Sequence, residues 1–292
     1  MIGTVGGLYR YPVKSLLGEA ITATEVTERG LAHDRRLALV DTETGKIASA
    51  KYPRRWRRLL TLTAQLGAGA VHITAPDGKA WRSTDPDADH HLSRFIGRDV
   101  TLTDTPPAQP TLDRARPDDI LRGATDTATD TATDTATDIG IDTSHIGSAA
   151  PAGTFVDYAP VHLLTTAALA RIDTLAPGAA DAVRYRPNIV LDTPGSGSGT
   201  GFGSGFPEND WPGRTLRIGD DLTLHVIART PRCAVPTLAH GTVPADTAAL
   251  RVLSDHNRIV PLDSMAPQPC AGAYAQVVAP GRIMLGDTVR WA

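Results

Sequence analysis

Cysteine is the scarcest reactive residue in this chain: Cys233 and Cys270 are the only two in 292 residues. Two thiols cannot hold an all-thiolate iron–sulfur cluster, which takes four. Electrons for any redox chemistry would have to come from outside. Charge of one sign is lacking too, because 29 Lys and Arg stand against 32 Asp and Glu for a formal net charge of -3. Nothing in that balance points to nucleic acid or a membrane surface as a partner. No apolar stretch approaches the ~20 residues of a membrane span. The opening Met1-Ile2-Gly3-Thr4 lacks the basic-then-apolar pattern of an export signal, so the expectation is a cytoplasmic protein.

Several catalytic signatures are also missing. The nine histidines form no H-E-x-x-H, and His90 and His91 are adjacent, a poor spacing for one metal. Neither G-x-S-x-G nor G-x-x-x-x-G-K-[ST] occurs, which removes the hydrolase elbow and the P-loop. In the tract 193–206 the glycines fall only at odd positions, so they cannot satisfy G-x-G-x-x-G, and a dinucleotide fingerprint is excluded. That tract reads as a flexible loop, able to fold over a ligand as a lid. Cys233 with His240 is too few ligands for a structural zinc site. A Cys–His–Asp hydrolase using Cys233 with His240 or His256 stays open, because triad partners meet only in space.

What remains is a soluble globular composition, 41% hydrophobic and 21% charged. The length suits roughly two ordinary domains. The first hundred residues read as short extended segments at 37–40, 59–63, 70–75 and 100–103, separated by Gly, Pro and Asp. This spacing predicts an antiparallel barrel or sandwich, with one short helix at 90–96. Residues 124–138 repeat Ala-Thr-Asp-Thr with a period of four and contain no large apolar side chain, so they read as a disordered surface insertion. The best helix is predicted at 162–175, capped by Thr165 or Thr166. Extended segments follow at 188–192, 215–218, 222–228 and 273–278. Two strand-Gly-Asp-strand shapes, around Gly219-Asp220 and Gly286-Asp287, suit the corners of a small β-barrel.

The chemistry concentrates at Arg229-Thr230-Pro231-Arg232-Cys233, with Pro236 just beyond. A thiol beside a guanidinium is a setting for attack on electrophiles or ligation of soft or high-valent metals. Pro231 and Pro236 bias Thr230 and Val235 toward extended backbone, which places Cys233 on a constrained loop. Cationic clusters recur elsewhere: Lys14-Ser15 after Tyr11, Asp34-Arg35-Arg36, Lys51 with Arg54, Arg55, Arg57 and Arg58 around Trp56, and Arg184-Tyr185-Arg186 before Asn188. Each couples a cation to a hydroxyl or amide, a combination suited to an oxygen-rich anion such as phosphate. One short basic run in a net-acidic chain gives little support for nucleic-acid binding.

In order along the chain, Tyr11-Pro12-Val13-Lys14-Ser15, Gly30-Leu31 with Asp34-Arg35, Arg186-Pro187-Asn188-Ile189, Phe206 with Glu208 and Trp211, Arg232-Cys233, and Gly286-Asp287 with Val289 resemble the motifs of MOSC-domain proteins that carry a MOSC N-terminal β-barrel domain. The resemblance runs nearly end to end. It implies a β-rich α+β fold, with an N-terminal β-barrel-like domain (1–105) packed on a MOSC-type β-barrel domain with a few helices (151–292), joined by a linker at 106–150. It also implies a molybdenum cofactor, a molybdopterin with a dithiolene and a phosphate, whose metal is held by Cys233. The same likeness assigns cofactor contacts to Lys14, Ser15, Arg35, Thr165, Thr166, Arg186, Asn188, Pro231, Arg232 and Tyr274.

The implied activity is two-electron reduction of N-hydroxylated or other N–O small-molecule substrates. Some relatives carry a fused C-terminal ferredoxin domain, whereas this chain ends at Trp291-Ala292, so a separate donor such as a ferredoxin or flavin reductase is expected. Other roles compatible with the resemblance are sulfur transfer through a Cys233 persulfide and non-catalytic cofactor carriage. Many relatives follow Arg-Cys with a Thr-Thr pair, where this chain has Ala234-Val235-Pro236-Thr237. Cys270, between Pro269 and Ala271, reads as an inert, partly buried thiol.

Overall fold

The computed structural model describes residues 1–123, 139–193 and 205–292. The repeat at 124–138 and the span 194–204 of the glycine tract lie outside the described residues, as do the insertion and lid readings made for them.

In the N-terminal half a three-stranded meander (Thr63–Leu66, Val71–Thr74, Ala80–Arg82) and a two-stranded ribbon (Ala38–Asp41 with Val100–Thr103) surround helix α1 (Ala88–Ile96). Leu92 and Ile96, one turn apart on α1, face a core containing Leu39, Trp56, Leu59, Leu62, Ile73 and Val100. Gly97, at φ 83°, ends the helix in a left-handed cap whose N–H reaches Ser93 O. The segment 59–63, expected to be extended, instead enters as a 3-10 turn, Arg57–Thr61, and the strand begins only at Thr63. Leu59 and Leu60 are adjacent and both fully buried, which an alternating strand with one wet face does not allow.

Seven strands close a barrel: β1 (Gly3–Arg10), β2 (Val161–Thr165), β3 (Ile189–Asp192), β4 (Thr215–Ile218), β5 (Leu222–Pro231), β6 (Gln268–Ala279) and β7 (Thr288–Trp291). Around the wall the order is β1, β3, β2, β6, β5, β4, β7 and back to β1. The β2–β3 pair is parallel and its neighbours are antiparallel. Along β5, Leu222, Leu224, Val226, Ala228 and Thr230 are buried and the residues between them are not, the period-two pattern of a wall with one face inward. Strand β2 is buried at all five positions. Its Leu164 packs outward beneath helices α2 (Thr166–Leu175) and α3 (Ala248–His256), while Leu163 joins the barrel interior.

The first strand does not stay with the N-terminal half. It is inserted between β3 and β7, and Ala23–Thr27 pairs with Gly281–Met284. The Gly219-Asp220 turn joins β4 and β5 as a hairpin. The Gly286-Asp287 turn instead carries the chain from that outer ladder into barrel strand β7, so it is a corner between two sheets.

Candidate functional site

A cavity of about 300 Å³ opens where the N-terminal half meets the barrel. Lys14, Ser15 and Arg35 reach it from one side. Arg186 and Asn188 reach it from the chain leading into β3, Pro231, Arg232 and Cys233 from the end of β5, and Tyr274 from β6. The cationic clusters and the lone thiol, far apart in sequence, therefore share one space. Thr165 and Thr166 are not among its lining residues. Thr165 Oγ1 caps α2 by accepting the Ala168 N–H at 3.0 Å, and Thr166 Oγ1 donates to Asp192 Oδ1 at 3.1 Å. The Thr165 hydroxyl satisfies an otherwise orphaned N–H of the helix start, and the Thr166 hydroxyl is held at the end of β3, where it also accepts the Thr193 N–H at 3.2 Å.

The backbone is unusual at this place. Among the described residues Ser15 (φ 65°), Arg35 (φ 44°) and Arg186 (φ 54°) are three of the four non-glycine residues in the left-handed region, and all three line the cavity. Such a conformation costs about 1–2 kcal/mol for an ordinary side chain. The Arg35 N–H is pinned to Tyr11 O at 2.7 Å and the Arg186 N–H to Ala182 O at 3.1 Å. On β6, Gly272 (φ 84°) has no alternative, since a Cβ there would lie 2.4 Å from Leu163 O and 2.5 Å from His162 Nε2.

Positive charge dominates the lining. Lys14, Arg35, Lys51, Arg114, Arg186, Arg229 and Arg232 make seven cations, against the single carboxylate of Asp157, among the described residues. Lys14 Nζ donates to Phe155 O at 2.8 Å and pairs with Asp157, which also pairs with Lys51 at 3.0 Å. Burial drives the Lys14 ammonium down to about 8, although Asp157 pulls the other way. Burial pushes the Asp157 carboxyl up, but Lys14 and Lys51 outweigh it and hold the group well below the usual carboxylate range. Burial, aided by the charge of Arg35, lowers Arg186 to about 10.

Tyr11 lies between two guanidiniums, with Arg186 4.3 Å and Arg35 4.8 Å from its ring centre, a cation–π arrangement that holds like charges close. Arg186 Nη2 donates to Leu16 O at 2.7 Å and Arg232 Nη2 to Tyr185 O at 2.7 Å. Arg186 Nη1 and Arg232 Nε are buried and have no partner among the described residues. Buried donors are otherwise almost always satisfied. Asn188 is committed to the protein, because its Oδ1 accepts from the His162 N–H (3.1 Å) and from Arg35 Nη1 (3.3 Å).

Three cavity residues carried no signal of their own in the sequence: Asp157, Tyr158 and His162. His162 falls inside the predicted helix, yet it lies on β2, with Nδ1 3.3 Å from Arg186 O and Nε2 3.5 Å from Arg232 Nη1. Donation from Nδ1 to the carbonyl leaves Nε2 as an acceptor. Burial, with the charge of Arg232, holds the ring neutral by lowering it to about 3. Tyr274 stands 5.6 Å from the Tyr158 ring and 5.7 Å from His162, tilted by 53° and 51°, so three rings cluster at the cavity.

Cys233 sits between the end of β5 and a 3-10 turn, Val235–Thr237, and packs with Ala50, Leu60 and Val235 while facing the cavity. The loop is as expected, but Val235 is helical rather than extended. Cys270 is fully buried on β6 opposite Pro231, rather than partly buried, and burial pushes its thiol up to about 12. Neither His240 nor His256 lines the cavity, and His240 Nδ1 faces Leu238 O at 2.9 Å, so neither is offered to Cys233 there. In the basic run, Arg55 lies over Tyr52 and Arg58 over Phe95, while Trp56 is buried beneath Arg98.

Comparison with known proteins adds the last observation. The MOSC N-terminal beta barrel domain family matches residues 2–106 and the MOSC domain family matches residues 150–290. The chain is 25% identical to mitochondrial amidoxime reducing component 2 of Rattus norvegicus, over 99% of this chain and 83% of that protein. It is equally 25% identical to mitochondrial amidoxime-reducing component 1 of Mus musculus, over 99% of this chain and 82% of that one.

Proposed function

The chain belongs to the MOSC-domain proteins in which a MOSC N-terminal β-barrel domain precedes the MOSC domain, and from that premise we propose that it is a molybdenum-cofactor-dependent oxidoreductase. The cavity's electrostatics carry this reading: seven cations against one carboxylate, with Arg186 Nη1 and Arg232 Nε buried and unpartnered. Seven cations around one cavity with a single carboxylate among the described lining residues are relieved by an anion. A phosphate-bearing pterin dithiolene fits on both counts, since it brings that anion and a soft metal that takes one thiolate. Cys233 is the cavity's lone thiol.

When bound, the cofactor would supply two-electron reduction of an N–O bond, so that an N-hydroxylated substrate, two electrons from a separate donor protein and two protons give the reduced nitrogen compound and water. The chain's own residues bind and orient. Lys14, Arg35 and Arg186 would hold the phosphate, with Ser15 turning the loop that presents Lys14. Pro231 and Arg232 would fix the approach to Cys233, and Asn188 keeps Arg35 in place. The ring cluster of Tyr274, Tyr158 and His162 would pack against the pterin and exclude water. The electron donor would be a ferredoxin or flavin reductase. Two free, buried cysteines suit a reducing compartment, and we assign the protein to the cytoplasm.

The test is metal analysis of protein purified from a cofactor-competent host, paired with an amidoxime reduction assay under a chemical reductant. Stoichiometric molybdenum with turnover, both lost in Cys233→Ala, is the expected result. Molybdenum that survives Cys233→Ala would sink the ligand assignment. Molybdenum without turnover favours a carrier, and sulfane sulfur without molybdenum favours sulfur transfer.

A further inference from the structure

We infer that the mouth of this cavity selects substrates bearing a carboxylate, and that Arg114 is the residue that recognises it. The inference deepens the reductase reading and rests on it for the reaction, though not for binding.

The seven cations differ in what already engages them. Lys14 and Lys51 share Asp157, Arg35 pairs with Asp34, Arg186 donates to Leu16 O and Arg232 to Tyr185 O. Arg229 donates to Asn209 O at 2.8 Å and to Val260 O at 3.1 Å. Arg114 stands apart, because among the described residues no hydrogen bond or ion pair uses its guanidinium. Its strand, Thr111–Ala115, pairs with Ile141–His145 and sets Arg114 directly across from Asp142. That carboxylate is already taken: Arg116 Nε reaches its two oxygens at 3.0 and 3.2 Å, and Arg116 Nη2 reaches one at 2.8 Å. Asp113, on the other face of the strand, is held by Lys46 and Thr143, each at 2.7 Å. Both nearby acids take their hydrogen bonds from other groups, and although the charge of Arg114 also bears on Asp142, its guanidinium fork keeps its donors for a ligand.

Position fits the same role. Side-chain exposure rises from 4% at Lys14 to 12% at Arg35 and 16% at Lys51, so the cofactor-facing cations lie deep. Arg114 is half-buried, on a ladder whose Ser144 and exposed His145 also line the cavity. Leu262, Met265 and Val156 add apolar side chains to the lining. The lining therefore offers deeply buried cations, apolar side chains and one half-buried planar cation without a hydrogen bond or ion pair among the described residues. An amphipathic substrate with an apolar or aromatic body and a terminal carboxylate matches all three, because guanidinium and carboxylate pair through two parallel hydrogen bonds.

A matched pair of N-hydroxybenzamidines, one with a 4-carboxylate and one with a 4-carboxamide, tests this with the molybdenum-loaded enzyme under a chemical reductant. The expected result is at least about a tenfold preference for the carboxylate in kcat/KM, carried by KM, equivalent to about 1.4 kcal/mol. Arg114→Gln should abolish the preference, Arg114→Lys should keep most of it, and Arg114→Glu should invert it. Equal kcat/KM for the pair in the wild type, or a preference unchanged in Arg114→Gln, overturns the proposal. If neither compound is reduced, the reductase reading falls and calorimetric binding of 4-carbamoylbenzoate against terephthalamide decides the mouth. A carboxylate preference lost in Arg114→Gln keeps the assignment, and binding indifferent to Arg114 ends it.

Discussion

At the scale of the single residue, Lys14 makes the cavity's hold on an anion depend on pH. Its ammonium is driven down to about 8 by burial, so it is charged below that pH and increasingly neutral above it. Sulfate keeps the same charge from pH 7 to 9 and reports on the cation alone. Sulfate affinity of the cofactor-free protein should fall about tenfold across that interval, and Lys14→Arg, whose charge persists, should remove the fall; isothermal calorimetry measures both. Lys14, Arg35, Arg186, Asn188, Arg232 and Cys233 were legible in the sequence because each sits in a local cluster with a chemical reading of its own. Asp157, Tyr158 and His162 were not, since their meaning comes from partners distant in sequence: Asp157 from Lys14, 143 residues away, and His162 from Arg186 and Arg232, 24 and 70 residues away. Thr165 and Thr166 lie away from the cavity lining, with the Thr165 hydroxyl engaged as a helix cap and the Thr166 hydroxyl engaged by Asp192.

At the scale of the element, the 3-10 turn Pro207–Asp210 holds a buried acid at the start of α2. Glu208 Oε1 accepts the Thr165 N–H at 2.7 Å, while Oε2 is buried without a partner among the described residues. Burial raises its carboxyl from 4.5 to about 7. The folded state therefore binds the proton more tightly than the unfolded chain, so stability is lost as pH climbs from 4.5 to 7 and stays lost above. Glu208→Gln keeps an oxygen for Thr165 and carries no charge. It should raise stability by roughly 2–3 kcal/mol at pH 8 and by little at pH 4.5, as read by urea unfolding at the two pH values. The neighbouring element shows why strand β2 was hidden. With Val161, Leu163 and Leu164 buried on both faces, it has no alternation to read, and it runs straight into α2 as one apolar segment. By contrast, α1 and the strand Val100–Thr103 lie where the short segments between Gly, Pro and Asp put them, with α1 starting two residues earlier at Ala88.

At the scale of the whole molecule, the chain is sewn together by its first strand. The Ile2 N–H bonds Val289 O at 2.8 Å, and Leu8 of β1 sits opposite Ile189 of β3. Residues 150–292 alone would therefore leave β3 and β7 as open edges. That fragment should fail to unfold cooperatively, whereas the same fragment followed by a short Gly-Ser linker and residues 1–31 should show a single thermal transition by calorimetry. Sequence patterning could not disclose this, because β1 reads as an ordinary N-terminal strand and its partners lie some 180 to 290 residues away. The same stitch orders events during synthesis. At about 5–20 residues per second the ribosome needs roughly 15–60 s for this chain, so the first strand to emerge waits nearly that long for its neighbour β7. Lys14 and Arg35 are made some two hundred residues before Cys233, so the cavity waits for Cys233 and Tyr274 to emerge before its two sides can meet. Any anion it receives is a passenger that boards only after that.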